Sequence, residues 1–144
     1  MIVRRATAED ALDVLDWRND EVARVMSRTQ DMVEEAGHLA WFSEAINDPR
    51  RKLLIGEIDG DKIGMVRFDQ GEETEISINL NPLFRGRGLG FALLSVALAY
   101  SSGPVSAQIK EENLASVRLF ERAGFVFESA NDGLLRYVRP ASSR

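Results

Sequence analysis

A chain of 144 residues is long enough for one domain with a sizeable core. It carries no cysteine and one histidine, which excludes a disulfide framework, a thiolate nucleophile, a cysteine-rich zinc centre and a multi-histidine metal site. The formal net charge of −5 argues against a general nucleic-acid surface, though not against a local basic pocket.

No apolar run approaches the roughly 20 residues of a membrane helix. Met1-Ile2-Val3-Arg4-Arg5 lacks the apolar core of a secretion signal, so the expected setting is the cytoplasm. Ile2 to Ala6 reads as a first strand. Thr7 can cap a helix, with Asp10 three residues on and Ala11, Leu12, Val14 and Leu15 as its apolar face. A short helix is expected over Glu21 to Met26, then a polar loop. A third helix runs from Glu34 to Ile46 with Leu39, Phe42 and Ile46 as its ridge, and Asn47-Asp48-Pro49 ends it. Leu53 to Ile58 and Lys62 to Asp69 form a hairpin about Asp59-Gly60. A turn at Gln70 to Glu73 leads into a strand ending at Leu80. After Leu89 the leucines and alanines fall at helical spacing, and Ser102-Gly103-Pro104 breaks that helix. Val105 to Lys110 is a fifth strand, Asn113 to Ala123 a helix closed by Gly124, and Phe125-Val126-Phe127 with Leu134 to Val138 a last hairpin. Residues 139–144 are expected to fray. Hairpins beside strand–helix–strand crossovers predict a mixed sheet with helices on its faces.

The most informative stretch joins the fourth strand to the helix at Leu89: Asn81-Pro82-Leu83-Phe84-Arg85-Gly86-Arg87-Gly88-Leu89-Gly90. Glycines let a main chain approach a phosphate, and the first turn of a helix offers free N–H groups. The loop lacks the Lys-Ser/Thr of a P-loop and the spacing of the dinucleotide fingerprint, while Arg85-x-x-Gly88-x-Gly90 fits a third pattern. It resembles the pyrophosphate loop of the GNAT superfamily of N-acetyltransferases, which use acetyl-coenzyme A. A second element, Asn113-Leu114-Ala115-Ser116 leading to Gly124-Phe125, resembles the helix that follows in that superfamily. Towards the front, Trp17-Arg18-Asn19 and His38 to Trp41 are similar to the branch holding the amino-sugar N-acetyltransferases of pseudaminic acid synthesis, with ribosomal-protein N-acetyltransferases close by.

The resemblance implies an α+β fold, a single domain over residues 1–144. It implies a mixed sheet of about seven strands, about four helices, and a V-shaped split between the fourth and fifth strands. It implies cofactor contacts at Ile78, Leu80, Arg85, Gly86, Arg87, Gly88, Leu89, Gly90, Asn113 and Ser116, with the Leu80 N–H as oxyanion donor. Asn113 and Ser116 can equally serve as a plain helix cap. The acceptor is an amine on a small molecule, an amino sugar favoured, or a protein N-terminus. Trp17, Arg18, Asn19, His38 and Trp41 are its expected contacts, with core packing as the alternative for the aromatic residues. Neither a metal nor nucleic acid is implied, and a homodimer stays open. Two positions depart from the superfamily pattern: Phe120 replaces the tyrosine that protonates the leaving thiolate, and Gln108 replaces a basic glutamate. That leaves Glu75 as first candidate base, His38 as second, and proton loss to solvent as third. A non-catalytic acyl-coenzyme A sensor is the alternative function.

Overall fold

The computed structural model describes residues 1–27 and 31–140; part of the expected polar loop (28–30) and most of the expected tail (141–144) lie outside the described residues. Seven strands form one sheet: β1 (Ile2–Arg5), β2 (Arg51–Ile58), β3 (Asp61–Gln70), β4 (Thr74–Leu80), β5 (Val105–Lys110), β6 (Val126–Asn131) and β7 (Leu134–Arg139). Their order is β1-β2-β3-β4-β5-β7-β6, and every neighbouring pair is antiparallel except β4 with β5. Among the described residues five α-helices flank the sheet, the five read along the sequence where the resemblance implies about four: α1 (Ala11–Asn19), α2 (Glu21–Met26), α3 (Glu35–Asn47), α4 (Leu89–Leu98) and α5 (Leu114–Arg122). Among the described residues no helix is long and apolar enough to cross a membrane.

The hairpins follow from their turn residues. Asp59 and Gly60 have φ of 52° and 83°, and Asp132 and Gly133 have 51° and 79°. Two successive left-handed residues make the turn whose twist matches its strands. Asn131, just before the second turn, pairs with Leu134 and closes the ladder.

Strand alternation sorts side chains to two cores. Leu54, Val66, Phe68 and Ile76 pack with Leu93, Leu94 and Ala97 of α4 and Phe120 of α5. On the other face Leu53, Ile55 and Met65 meet Val14 and Trp17 of α1 and Phe42 and Ala45 of α3. The expected ridge of α3 is turned by one residue. His38, Phe42 and Ala45 face inward, while Leu39 is 39 % exposed. Both sets satisfy helical spacing; His38 wins because its ring finds polar partners inside, as described below.

The chain enters α1 through a 3-10 turn over Ala8–Asp10. Asp10 is 1 % exposed and accepts from Arg4 at 2.8 and 2.9 Å, from Lys62 at 2.8 Å and from the Thr7 N–H at 2.8 Å. Burial opposes its charge, but these donors outweigh burial and hold its carboxyl well below the ordinary range.

Candidate active site

The site begins where a ladder stops. β4 and β5 pair only at Thr74 with Val105 and Glu75 with Ser106, although β4 continues to Leu80 and β5 to Lys110. The Asn81 N–H donates to the Ile63 carbonyl of β3 at 2.8 Å, and β3 and β4 stay in unbroken register from Gly64–Leu80 to Gln70–Thr74. In an antiparallel ladder alternate residues turn their N–H and C=O to one neighbour. Asn81, Asn79 and Ser77 therefore face β3, and the backbone groups of Ile78 and Leu80 face the β5 side, beyond the end of the ladder. The closed end is clamped by Glu73, which accepts from Arg136 of β7 at 2.5 and 2.7 Å and from the Ser106 hydroxyl of β5 at 3.2 Å.

The glycine loop sits at the open end. A 3-10 turn over Pro82–Phe84, capped by the Asn81 side chain on the Leu83 N–H, ends β4. Gly86 and Gly88 follow with φ of 77° and 73°, and a side chain built on either would meet nothing within 4 Å. Left-handed backbone beside open space is a concave run of amides that a ligand can approach. Gly88 stands at the N-cap of α4 and provides no side-chain cap, so the first N–H groups of α4 face outward. Gly90 plays a different part. A Cβ there would lie 3.1 Å from Leu80 Cδ1, so glycine lets the first turn of α4 close on the end of β4. Arg87 stacks over Phe84 with its guanidinium 5.3 Å from the ring centre. Arg85 is held by Asp20 at 2.6 Å, and Asp20 also caps α2 through the Ala23 N–H at 3.1 Å. Asn113 caps α5 by accepting from the Ser116 N–H at 3.2 Å, so the cap role expected as an alternative is present in the structure.

The face of the sheet under α1 and α3 carries the polar residues of the split: Arg67 on β3, Glu75, Ser77 and Asn79 on β4, and Gln108 on β5. Of the expected acceptor contacts, three are structural. Trp17 is 5 % exposed in the core, and Asn19 accepts from the Val33 N–H at 2.7 Å and donates to its carbonyl at 2.9 Å. His38 is 1 % exposed; its Nε2 lies 2.7 Å from the Ala11 carbonyl and its Nδ1 3.0 Å from Arg18 Nη1. Arginine can only donate, so Nδ1 accepts and Nε2 carries the proton. Burial, with the Arg18 charge beside it, pushes the His38 pKa below the ordinary imidazole value despite the Ala11 carbonyl. A neutral ring with both nitrogens engaged has no lone pair to offer a substrate. Arg18 and Trp41 remain half-buried and in contact, 5.1 Å from guanidinium to ring centre, and Arg67, which sequence reasoning missed, lies 5.2 Å from the same ring. The only signal for Arg67 was a polar residue alternating with buried ones along a strand.

The structure does not bring Glu75 and Leu80 together. Glu75 lies at the closed end, and five residues of strand separate them by about 17 Å. Phe120 is core, 3 % exposed and edge-on to Phe125 with ring centres 5.0 Å apart.

Four likenesses place this chain among known proteins. The family described as Acetyltransferase (GNAT) domain matches residues 1–126. An uncharacterized N-acetyltransferase of Bacillus subtilis is 29 % identical over 140 residues, covering 90 % of each chain. Another, from Methanocaldococcus jannaschii, is 30 % identical over 100 residues, which is 60 % of this chain and 44 % of that one. Among solved structures, a spermidine N-acetyltransferase from Vibrio cholerae, in complex with CoA and spermine, superimposes with a TM-score of 0.85 at 18 % identity over 97 % of this chain and 95 % of that one.

Proposed function

The chain belongs to the GNAT acetyltransferase family, and from that premise we propose that residues 1–144 form one cytoplasmic N-acetyltransferase domain that moves an acetyl group from acetyl-coenzyme A directly to a primary amine. The interrupted β4–β5 ladder, with the backbone of Ile78 and Leu80 turned towards β5, carries this reading. The residues present fit the cofactor: open space lies before Gly86 and Gly88, and α4 starts without a side-chain cap.

When bound, acetyl-coenzyme A supplies a thioester-activated acetyl group. The backbone groups of Ile78 and Leu80 would hold its pantetheine arm. The amides from Gly86 to Gly90 and the Arg87 charge would hold its diphosphate, with Leu89 and Gly90 opening the first turn of α4, while the Arg85 N–H donates to the Pro82 carbonyl at 3.4 Å. Asn113 and Ser116, at the start of α5, would add polar contacts to the bound cofactor. The Leu80 N–H stabilises negative charge that builds on the carbonyl oxygen. With no cysteine to carry the acyl group, transfer is direct. The amine's proton leaves along the polar strip Asn79, Ser77, Glu75, whose members stand about 7 Å apart along one face, with water between them and Glu75 as the final acceptor. The acceptor is an amino sugar in the first instance, and a protein N-terminus in the second.

The loop is tested by Gly88→Asp. A carboxylate in the amide cradle, on a left-handed backbone, abolishes acetyl-coenzyme A binding by calorimetry while the circular dichroism spectrum stays unchanged. Wild-type affinity in that variant overturns the assignment. Glu75→Gln lowers kcat about tenfold, less than a directly bonded base, whose loss costs 10²–10⁴-fold. An unchanged rate in that variant removes Glu75 from the proton path.

A further inference from the structure

On the face covered by α1 and α3, two guanidiniums meet one indole. Building on the N-acetyltransferase reading, we propose that Arg18, Arg67 and the Trp41 ring recognise an acidic group, carboxylate or phosphate, on the acceptor amine, and that His38 is the positioning residue for Arg18.

Three observations carry this. First, Arg18 is half-buried with no carboxylate in ion-pair distance among the described residues, whereas Arg4, Arg85 and Arg136 each meet one. Among the described residues its one hydrogen bond goes to His38 Nδ1, and the other N–H groups of its fork make none there. Burial, and next the Arg67 charge, disfavour the charged form of Arg18. A cation desolvated beside a like charge is costly unless an anion arrives to compensate it. Second, the chain as a whole is acidic at −5, so a cationic pair in this cleft is a local arrangement and not a reflection of general composition. Third, the geometry is that of a prepared site. Arg18 and Arg67 lie 5.1 and 5.2 Å from the Trp41 ring centre, and Arg67 keeps its Nε on Asp69 at 2.9 Å. His38, itself anchored on the Ala11 carbonyl, fixes the direction in which Arg18 presents its fork. A planar fork held in place accepts an oxyanion bidentately.

Position sets the size of the acceptor. Arg67 is the cross-strand partner of Ser77, three residues or about 10 Å along β4 from Leu80. Allowing for the reach of an arginine, the amine and the acid stand on the order of 5–10 Å apart. An α-amino acid, with one carbon between the two groups, is too short. An amino-sugar phosphate or an ω-amino acid fits.

The test compares matched acceptors: 4-aminobutyrate against butylamine, glucosamine 6-phosphate against glucosamine, and spermidine as a cationic control. Released coenzyme A is read with a thiol reagent, to which this cysteine-free chain contributes no background. The acidic member of at least one pair is expected to lead in kcat/KM by tenfold or more, and which pair responds distinguishes carboxylate from phosphate. Arg18→Gln erases the preference through KM. Arg67→Gln does the same and serves if the first variant is poorly folded. His38→Gln raises KM for the acidic acceptor more than for its neutral partner, which a merely structural role would not do. Equal turnover within both pairs, or spermidine ahead of every acid, overturns the proposal. If no amine is turned over, the transferase reading falls, and the anion site is decided separately by tryptophan fluorescence. Titration with inorganic phosphate and with succinate is expected to quench saturably in the millimolar range, and to do so no longer in Arg18→Gln. Absence of a saturable response to either anion overturns the site whatever the kinetics show.

Discussion

His38 gives a neutral imidazole to the inside of the protein, and this makes stability depend on pH. Its folded pKa lies below the ordinary value because burial and the Arg18 charge disfavour protonation. Below about pH 6.5 the unfolded chain takes up a proton that the folded chain refuses, so stability falls as pH drops through that window. The thermal midpoint should decline between about pH 7.5 and 5.5, and the decline should shrink in His38→Gln. A slope unaltered by the substitution would mean that another group titrates. At this scale a residue's type does not fix its role. Trp17 and Asn19 have the same residue types whether they line a pocket or fasten α1. Only tertiary contacts, such as both amide atoms of Asn19 meeting Val33, show the second case.

Elements are placed by close approach as much as by hydrophobic area. Gly64 on β3 faces Leu80 across the ladder, and a Cβ there would stand 2.8 Å from the Asn79 carbonyl oxygen and 3.1 Å from Leu80 Cα. Both are backbone atoms and cannot turn aside. Gly64→Ala should therefore cost about 1–3 kcal/mol in urea unfolding. It should also raise KM for acetyl-coenzyme A, because β4 yields at the residue whose N–H faces the split. A stability loss with an unchanged KM would show that the end of β4 tolerates displacement. Gly88, with open space before it, announced itself in the sequence by its run of alternating glycines and arginines, whereas Gly64, a single glycine between Ile63 and Met65, gave no sign that the backbone of β4 presses against it.

Across the whole molecule the fold was legible because its signals are local. Asp-Gly turns, the alternation of Ile76 and Ile78 with Glu75, Ser77 and Asn79, and the break at Asn81-Pro82 all act within a few residues. The acceptor face was less legible because Arg18, Trp41 and Arg67 come from α1, α3 and β3, and nothing in the spacing of three distant segments announces that they meet. The same long-range construction means that a ligand bridging β4, α4 and α5 holds distant parts together. A hundredfold excess of acetyl-coenzyme A over its Kd should stabilise the chain by about 2.7 kcal/mol, seen as a rise of several degrees in the thermal midpoint. The rise should be absent in Gly88→Asp. A rise of equal size in that variant would place the ligand elsewhere.

Asp20 holds two obligations at once: it anchors the start of α2 and it grips Arg85 of the phosphate loop. Any diphosphate that draws Arg85 to itself must compete with that carboxylate, and would leave the Asp20 charge without its partner at the start of α2. If the loop takes up the cofactor as proposed, its hold on Arg85 and the cap of α2 draw on one carboxylate, and reciprocity would tie the order of α2 to the grip on the cofactor.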